Sequence, residues 1–271
     1  NAVITGYGPE PLYQPMPGQD GMVRVVGGPT TLIDTLAERL GSSNIRTSAV
    51  VAELSEDGPE RMNIRLDSGE MITARRVIVA APLRVVATTI LMPWAPPSLI
   101  KVMRETPTWM SSHAKAVVLY DRPFWRDTGL SGRIASRTGP LVEVHDHTCA
   151  EMKPAALFGF VGWSPEQRQS SPTQLKQEIL DQLSDCLGKA AANPLKLVIQ
   201  DWATNPRIVN ELDLTQPGSH PNVGPDNLRE QYLDGRVQFA VSEVSERSPG
   251  LIEGALAIGE SAAIDFLRTV L

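Results

Sequence analysis

Cysteine is scarce in this chain: Cys149 and Cys186 are the only two in 271 residues. Two cysteines build no disulfide framework and match no zinc spacing. They fit a reducing cytosol, where thiols stay free. Long apolar runs are also missing. No stretch approaches the roughly 20 residues that a helix needs to cross a bilayer, and no signal peptide follows Asn1. Positive charge is neither dominant nor clustered. With 25 basic against 31 acidic residues the net charge is −6, and the pI is about 5.3. That balance, without a Lys/Arg-dense patch, argues against a nucleic-acid phosphate binder. Repeats and low-complexity tracts are absent. So is any G-x-G-x-x-G turn between a strand and a helix, the arrangement that holds a dinucleotide pyrophosphate.

What is present suits a globular protein: hydrophobic residues make up 42%, and the length allows one large or two ordinary domains. Residues 1–21 are rich in Pro and Gly and read as a lead-in loop, followed by a short strand at 22–26. Leu32, Ile33, Leu36 and Leu40 form one stripe of a helix over 29–40, which Gly41 ends. Strands at 45–54 and 62–66 turn through Glu56-Asp57-Gly58-Pro59, and an apolar strand covers 76–80. Pro82, Pro93, Pro96 and Pro97 mark a crossing between regions. Beyond it come a helix over 97–105, strands at 114–120 and 155–161, a helix over 172–187 with Leu175, Ile179, Leu183 and Leu187 four apart, and a strand at 195–202. A polar loop region covers 203–235, and a last strand at 237–241 precedes a helix opened by Pro249-Gly250. The alternation predicts an α/β (mixed α+β) fold.

Lys115 stands out among the charged residues. Strand alternation within 114–120 puts it on one face with Val117 and Leu119, and lysine is rarely buried without a partner. It is either a strand-end lysine snorkelling to water or a placed catalytic group. Trp202 at a strand end reads most simply as a core aromatic. The final helix carries small residues at Gly254, Ala255, Gly259, Ala262 and Ala263, which suit either close packing or the approach of a flat ligand. Its opening N–H groups favour negative charge. His145-Asp146-His147 with Cys149 offers two imidazoles but no second pair of metal ligands, so these read as polar residues of a surface hairpin.

Several ordered motifs share one resemblance. Phe239-Ala240-Val241-Ser242-Glu243 and Gly250-Leu251-Ile252-Glu253-Gly254-Ala255 resemble the carboxyl-terminal signature of the flavin-containing monoamine oxidase family. Gly27-Gly28 with Leu32, Leu36 and Leu40-Gly41 is similar to its Gly-Gly-x3-Leu-x3-Leu segment. Val77-Ile78-Val79-Ala80-Ala81-Pro82 is similar to its Val-Ile-x-Ala-x-Pro strand. Lys115 and the following Pro123-Phe124-Trp125, with Asp201-Trp202 later, complete a match over roughly 22–271.

That resemblance implies an FAD/NAD(P)-binding-type domain, incomplete here, with a mixed-sheet substrate domain. Residues 22–92 and 200–271 would form the cofactor part and 93–199 the substrate part. It implies a longer or two-chain protein in which an N-terminal FAD-binding segment or subunit supplies the missing G-x-G-x-x-G unit. The implied activity is oxidation of an amine to an imine, with dioxygen as acceptor and FAD as cofactor. Lys115 would hold a water beside the flavin and assist reoxidation. Val50, Trp202, Ser242, Glu243, Gly250, Leu251, Ile252 and Ala255 would contact the cofactor, and Leu212 and Leu251 would line the substrate pocket.

Three departures stand against the family pattern. Val241 replaces a glycine and threatens to crowd the cofactor. Leu251 replaces a tyrosine of the aromatic cage, and the segment ending at Leu212 lacks the Gly-Gly-Cys-Tyr pattern. The missing cysteine implies noncovalent FAD, and the missing cage leaves a larger or polar amine, or an amino acid, as substrate. A non-catalytic, flavin-free binding or assembly subunit and an amino-acid oxidase remain as alternatives. No partner nucleic acid or membrane span is expected, and homodimer formation is left open.

Overall fold

The computed structural model describes residues 2–6, 25, 27–149, 153–220 and 224–268. Two hydrophobic cores organise it. The first belongs to a six-stranded antiparallel sheet in the order β1-β7-β8-β9-β6-β10. Its strands are β1 (Ala2–Gly6), β6 (Ala114–Tyr120), β7 (Leu130–Ser136), β8 (Leu141–Asp146), β9 (Ala155–Val161) and β10 (Lys196–Asp201). Strand β1 replaces part of the expected lead-in loop. Its β-branched run Val3-Ile4-Thr5 favours extended backbone, and it pairs antiparallel along the edge of β7. The expected strand at 22–26 lies outside the described residues, apart from Val25.

Sixteen residues of helix α5 (Pro172–Leu187) cover one face of this sheet. Leu175, Ile179, Leu183 and Leu187 are buried against Ala116, Val118, Leu157 and Val144, with Trp125 wholly enclosed beside them. Gln182 also faces inward from α5. Its amide accepts from Leu141 N at 2.8 Å and donates to Leu141 O at 2.8 Å and Thr138 O at 2.9 Å. One side chain thus satisfies the backbone where β8 begins. A short helix α4 (Pro165–Ser170), opened by a capping box on Ser164, leads into α5.

The second core joins two small sheets and their helices. One sheet is antiparallel: β2 (Val51–Asp57), β3 (Arg61–Leu66) and β4 (Met71–Ala74). The other has the order β11-β12-β5, with β5 (Val77–Val79) parallel to β12 (Val237–Phe239) and β11 (Gln231–Tyr232) antiparallel to it. Helices α2 (Leu83–Thr89) and α3 (Pro97–Glu105) pack here through Leu83, Val86, Leu99 and Met103. Helix α3 therefore belongs to the second core. Arg236 ties the two sheets together, donating to Glu56 at 2.8 Å and to Gly58 O at 3.0 Å.

A buried ion pair crosses from α2 to the loop region after β10. Arg84 Nη1 lies 3.0 Å from Asp213 Oδ1 in the short helix α6 (Glu211–Thr215) and also donates to Gln216 O. Asn210 donates back to Arg84 O at 3.0 Å.

Two helices are barely covered. Helix α1 (Thr30–Leu40) buries no residue, although Ile33, Leu36 and Leu40 form its apolar stripe; Ile33 is 62% exposed. Helix α7 (Ile252–Arg268) buries only Gly254 and Ala262, leaving Leu256, Ile264 and Leu267 in the open. Between the described residues, β5 is an outer strand whose second edge has no partner, and its Ile78 is exposed.

Candidate functional site

The face of the large sheet opposite α5 carries the chemistry. Pairing sets Phe160 and Gln200 beside Lys115, and Phe158 and Val198 beside Val117. Lys115 therefore projects from a central strand among rings: its Nζ lies 5.5 Å from the Phe158 centroid, 5.1 Å from Phe160 and 5.5 Å from Trp202. Three ring faces around one ammonium stabilise its charge by cation–π attraction. Among the described residues it forms no ion pair.

Trp202 reaches this point because β10 ends at Asp201 and turns sharply. The Asp201 carboxylate caps that turn by accepting from Ala203 N at 3.1 Å, and Trp202 N donates to His113 O across the strand pair at 3.1 Å. Both neighbouring segments are held by Arg168 of α4. Its Nε and Nη2 each donate to Asp201 at 2.8 Å, Nη2 also donates to Ser112 O at 2.8 Å, and Nη1 donates to Trp163 O at 2.5 Å. One buried guanidinium thus anchors the residue before Trp202 and the segment entering β6. Arginine suits the position because its fork matches a carboxylate in two bonds.

Two cavities open at this place. The smaller, about 250 Å³, is lined by Lys115, Trp202, Trp109, Ser111 and Ile208. The larger, about 480 Å³, is walled by Val142, Phe160, Val161, Trp163, Pro165 and Pro217, with Glu143 at its polar side. Met110 and His113 line both. Met110 holds a left-handed backbone at φ 59°, a conformation that costs a non-glycine residue about 1 kcal/mol. Burial first, then the nearby Arg168 and Lys115 charges, holds His113 below the usual imidazole range, against a weak pull from the Met110 carbonyl. Sequence reasoning passed over Phe158, Phe160, Trp109 and His113. The alternation within β9 held the signal for the phenylalanines, since it sets them opposite Leu157 and Val161.

The other expected contacts gather elsewhere. Ser242 donates to Glu243 at 3.0 Å, and Ser242 O accepts from Gly250 N, so 242–243 and the start of α7 form one unit. Among the described residues the N–H groups of Ile252, Glu253 and Gly254 have no backbone acceptor, as befits a helix start. Leu251, Ile252 and Ala255 are exposed. Val50 is also exposed, and its carbonyl accepts from Asp67 N. Leu212 and Leu251 line neither cavity. The Val241 side chain is buried in the second core. Gly254 has a packing reason, because a Cβ there would sit 2.3 Å from Ser248 O, whereas one at Gly259 would meet nothing within 4 Å.

His145 Nε2 lies 2.9 Å from Glu143, and both His145 and His147 rest against Phe158. No three His, Cys, Asp or Glu side chains converge as metal ligands among the described residues. Among the described residues no helix is long and apolar enough to cross a membrane.

The lysine, its ring cage and the turn into α7 meet a decisive match in sequence. The profile of the family described as "Flavin containing amine oxidoreductase" covers residues 11–266. The chain belongs to this family. It is 27% identical over 239 residues to the "Probable flavin-containing monoamine oxidase A" of Dictyostelium discoideum, covering 87% of this chain and 51% of that one. An "L-amino acid dehydrogenase" of Synechocystis is 24% identical over 243 residues, covering 88% and 49% respectively. In structure, the cyclohexylamine oxidase of Brevibacterium oxydans superimposes with a TM-score of 0.75 at 22% identity, over 90% of this chain and 53% of that one. The shared fold is thus the mixed α/β architecture of amine oxidases. The chain spans about half the length of the curated relatives it matches.

The residues present suit parts of a flavin dinucleotide. The indole of Trp202 and the ammonium of Lys115 border an apolar cavity, where a flat ring system would find a wall and a charge. The unclaimed N–H groups of α7 offer donors to an anionic group. No glycine-rich turn for the pyrophosphate exists in the sequence.

Proposed function

We propose that the chain supplies the substrate side of an FAD-dependent amine oxidase, and that a nucleotide-binding segment or subunit completes it. The carrying observation is the convergence of Lys115 and Trp202 on one cavity, from strands β6 and β10 that Arg168 ties together. When bound, the flavin supplies the two-electron chemistry, from the amine-bearing carbon to dioxygen, giving an imine and peroxide. This chain's residues provide the setting. Lys115 holds a water at its ammonium and keeps a positive charge where reoxidation needs it. Trp202 walls the cavity, and Phe158 and Phe160 exclude bulk water around the lysine. The α7 N–H groups stabilise negative charge on an approaching ring or phosphate.

Cofactor attachment is noncovalent in this reading. Cys186 packs on the α5 side of the large sheet, away from Lys115, and Cys149 lines neither cavity. The completing unit docks on the open edge of β5 and the uncovered stripes of α1 and α7, the last of which includes the cofactor-contact residues Ile252 and Ala255. Substrates are a small-molecule amine or amino acid; the amino-acid form of the reading draws on the Synechocystis relative. A flavin-free assembly subunit is the competing reading. It is favoured by the positions of Leu212 and Leu251, away from both cavities.

The absorbance spectrum of the purified protein, with intact mass on the same sample, separates the two. Flavin bands support the oxidase. A protein that takes up no FAD even beside a nucleotide-binding unit supports the assembly role. In a flavin-bearing preparation, Lys115→Met should slow peroxide production about 100-fold while leaving flavin content unchanged. Equal peroxide production by variant and parent removes Lys115 from catalysis.

A further inference from the structure

We propose that His113 is a substrate-orienting residue, hydrogen-bonding an uncharged polar group on the arm of the amine that occupies the larger cavity. The inference rests on the oxidase reading for the location of the reacting end. Its own grounds are geometric. His113 and Met110 form the wall common to both cavities, so a ligand reaching from Lys115 and Trp202 into the larger space passes the imidazole. Around it, the larger cavity is mostly apolar and suits a hydrocarbon or aromatic arm.

His113 Nδ1 is enclosed and, apart from the weak pull of the Met110 carbonyl, has no hydrogen-bond partner among the described residues. Buried polar atoms are nearly always paired, and each exception calls for a reason. The other ring nitrogen, Nε2, is neither enclosed nor bonded among the described residues, so it is the atom that a ligand in either cavity can meet.

The neighbours narrow the chemistry. Arg168 and Lys115 lie close enough to disfavour the imidazolium, and they disfavour a second ammonium at the same point. A carboxylate on the arm would meet Glu143 rather than a free cation, since the Arg168 guanidinium is committed to Asp201 and two carbonyls. A hydroxyl or amide is left. A neutral imidazole, with one N–H and one lone pair, can bond either by choice of tautomer.

The test uses straight-chain alkylamines and the ω-amino alcohols of the same lengths. Binding to the full protein is read by tryptophan fluorescence, because Trp109, Trp163 and Trp202 line the cavities. This readout requires neither flavin nor turnover. At the length that places the hydroxyl beside His113, the amino alcohol should bind about three- to tenfold tighter than its alkylamine. His113→Gln, whose longer amide reaches toward the Nε2 position, should retain most of that preference, and His113→Leu should abolish it. Absence of a hydroxyl preference at every length in the parent overturns the proposal, whether or not the leucine variant folds. So does a preference that survives His113→Leu. Hydroxyl preference without peroxide formation counts against the oxidase reading alone; peroxide formation without hydroxyl preference counts against His113 alone.

Discussion

Helices α5 and α1 carry the same kind of apolar stripe and meet opposite fates. In α5, Leu175, Ile179, Leu183 and Leu187 all disappear into the first core. In α1, Ile33, Leu36 and Leu40 all face outward, and the helix buries nothing. Periodicity therefore reports that a helix requires a covering surface, not that the chain provides it. Eleven residues are too few for a helix to hold its shape in water unaided, so the α1 stripe calls for a covering surface that the described residues do not supply. Each such side chain gains about 1.5–3 kcal/mol when fully covered. The large sheet with α5 is a finished unit; the small sheets with α1 and α7 are finished on one side only.

Hydrogen exchange should show the widest contrast. Amides of β6, β9 and α5 should exchange at least ~1,000-fold more slowly than those of α1 in the isolated chain, reflecting local rather than global opening. Equal protection would break the comparison. Adding a nucleotide-binding unit should slow α1 and leave α5 unchanged. Within the finished unit, Arg168→Met removes one partner of a buried pair and leaves Asp201 with an unmatched charge. Denaturant unfolding of that unit should lose about 3–5 kcal/mol. A loss below 1 kcal/mol would show that Arg168 does not hold the strand ends together. Matched substitutions sharpen the contrast further: Leu183→Ala should cost about 2–5 kcal/mol and Leu36→Ala less than about 0.5 kcal/mol. Comparable losses would mean that α1 is covered in solution.

Acid gives the smallest effect. Burial opposes the charge of Asp146, but hydrogen bonds from Thr148, Trp125 and Arg126 outweigh it and hold the carboxyl below its usual range. A depressed folded pKa means that the stabilisation is complete above the ordinary carboxylate value and fades as pH falls through the folded one. Asp146→Asn should flatten that acid limb of the stability curve. An unchanged limb would exclude Asp146 as its source.

Legibility in sequence followed the same divide. Helices α3 and α5 and strands β6 and β9 were readable to the residue, because alternation or a four-residue period coincides with burial inside this chain. Helix α2 was not. Val85, Val86, Thr88 and Thr89 favour strand or turn by propensity, and only the packing of Leu83 and Val86 on the second core makes it helical. Strand β1 was hidden because nothing in a Pro/Gly-rich lead announces an edge more than 120 residues later in the sequence, on β7. Lys115 was conspicuous as a charge in an apolar strand. Phe158 and Phe160 were not, since phenylalanine in such a strand looks like core. His113 lies two residues before Lys115, so the alternation that singled out the lysine extends to it.

The uncovered stripe of α1 also bears on how much of this protein a cell would keep. Chaperones and proteases triage chains by exposed apolar segments and local opening, and a difference of 1–2 kcal/mol changes abundance several-fold. A copy with Ile33, Leu36 and Leu40 uncovered would offer three apolar side chains to that triage, and covering them would withdraw them. Supply of the covering surface would then set the standing level of the protein, with excess copies cleared rather than stored.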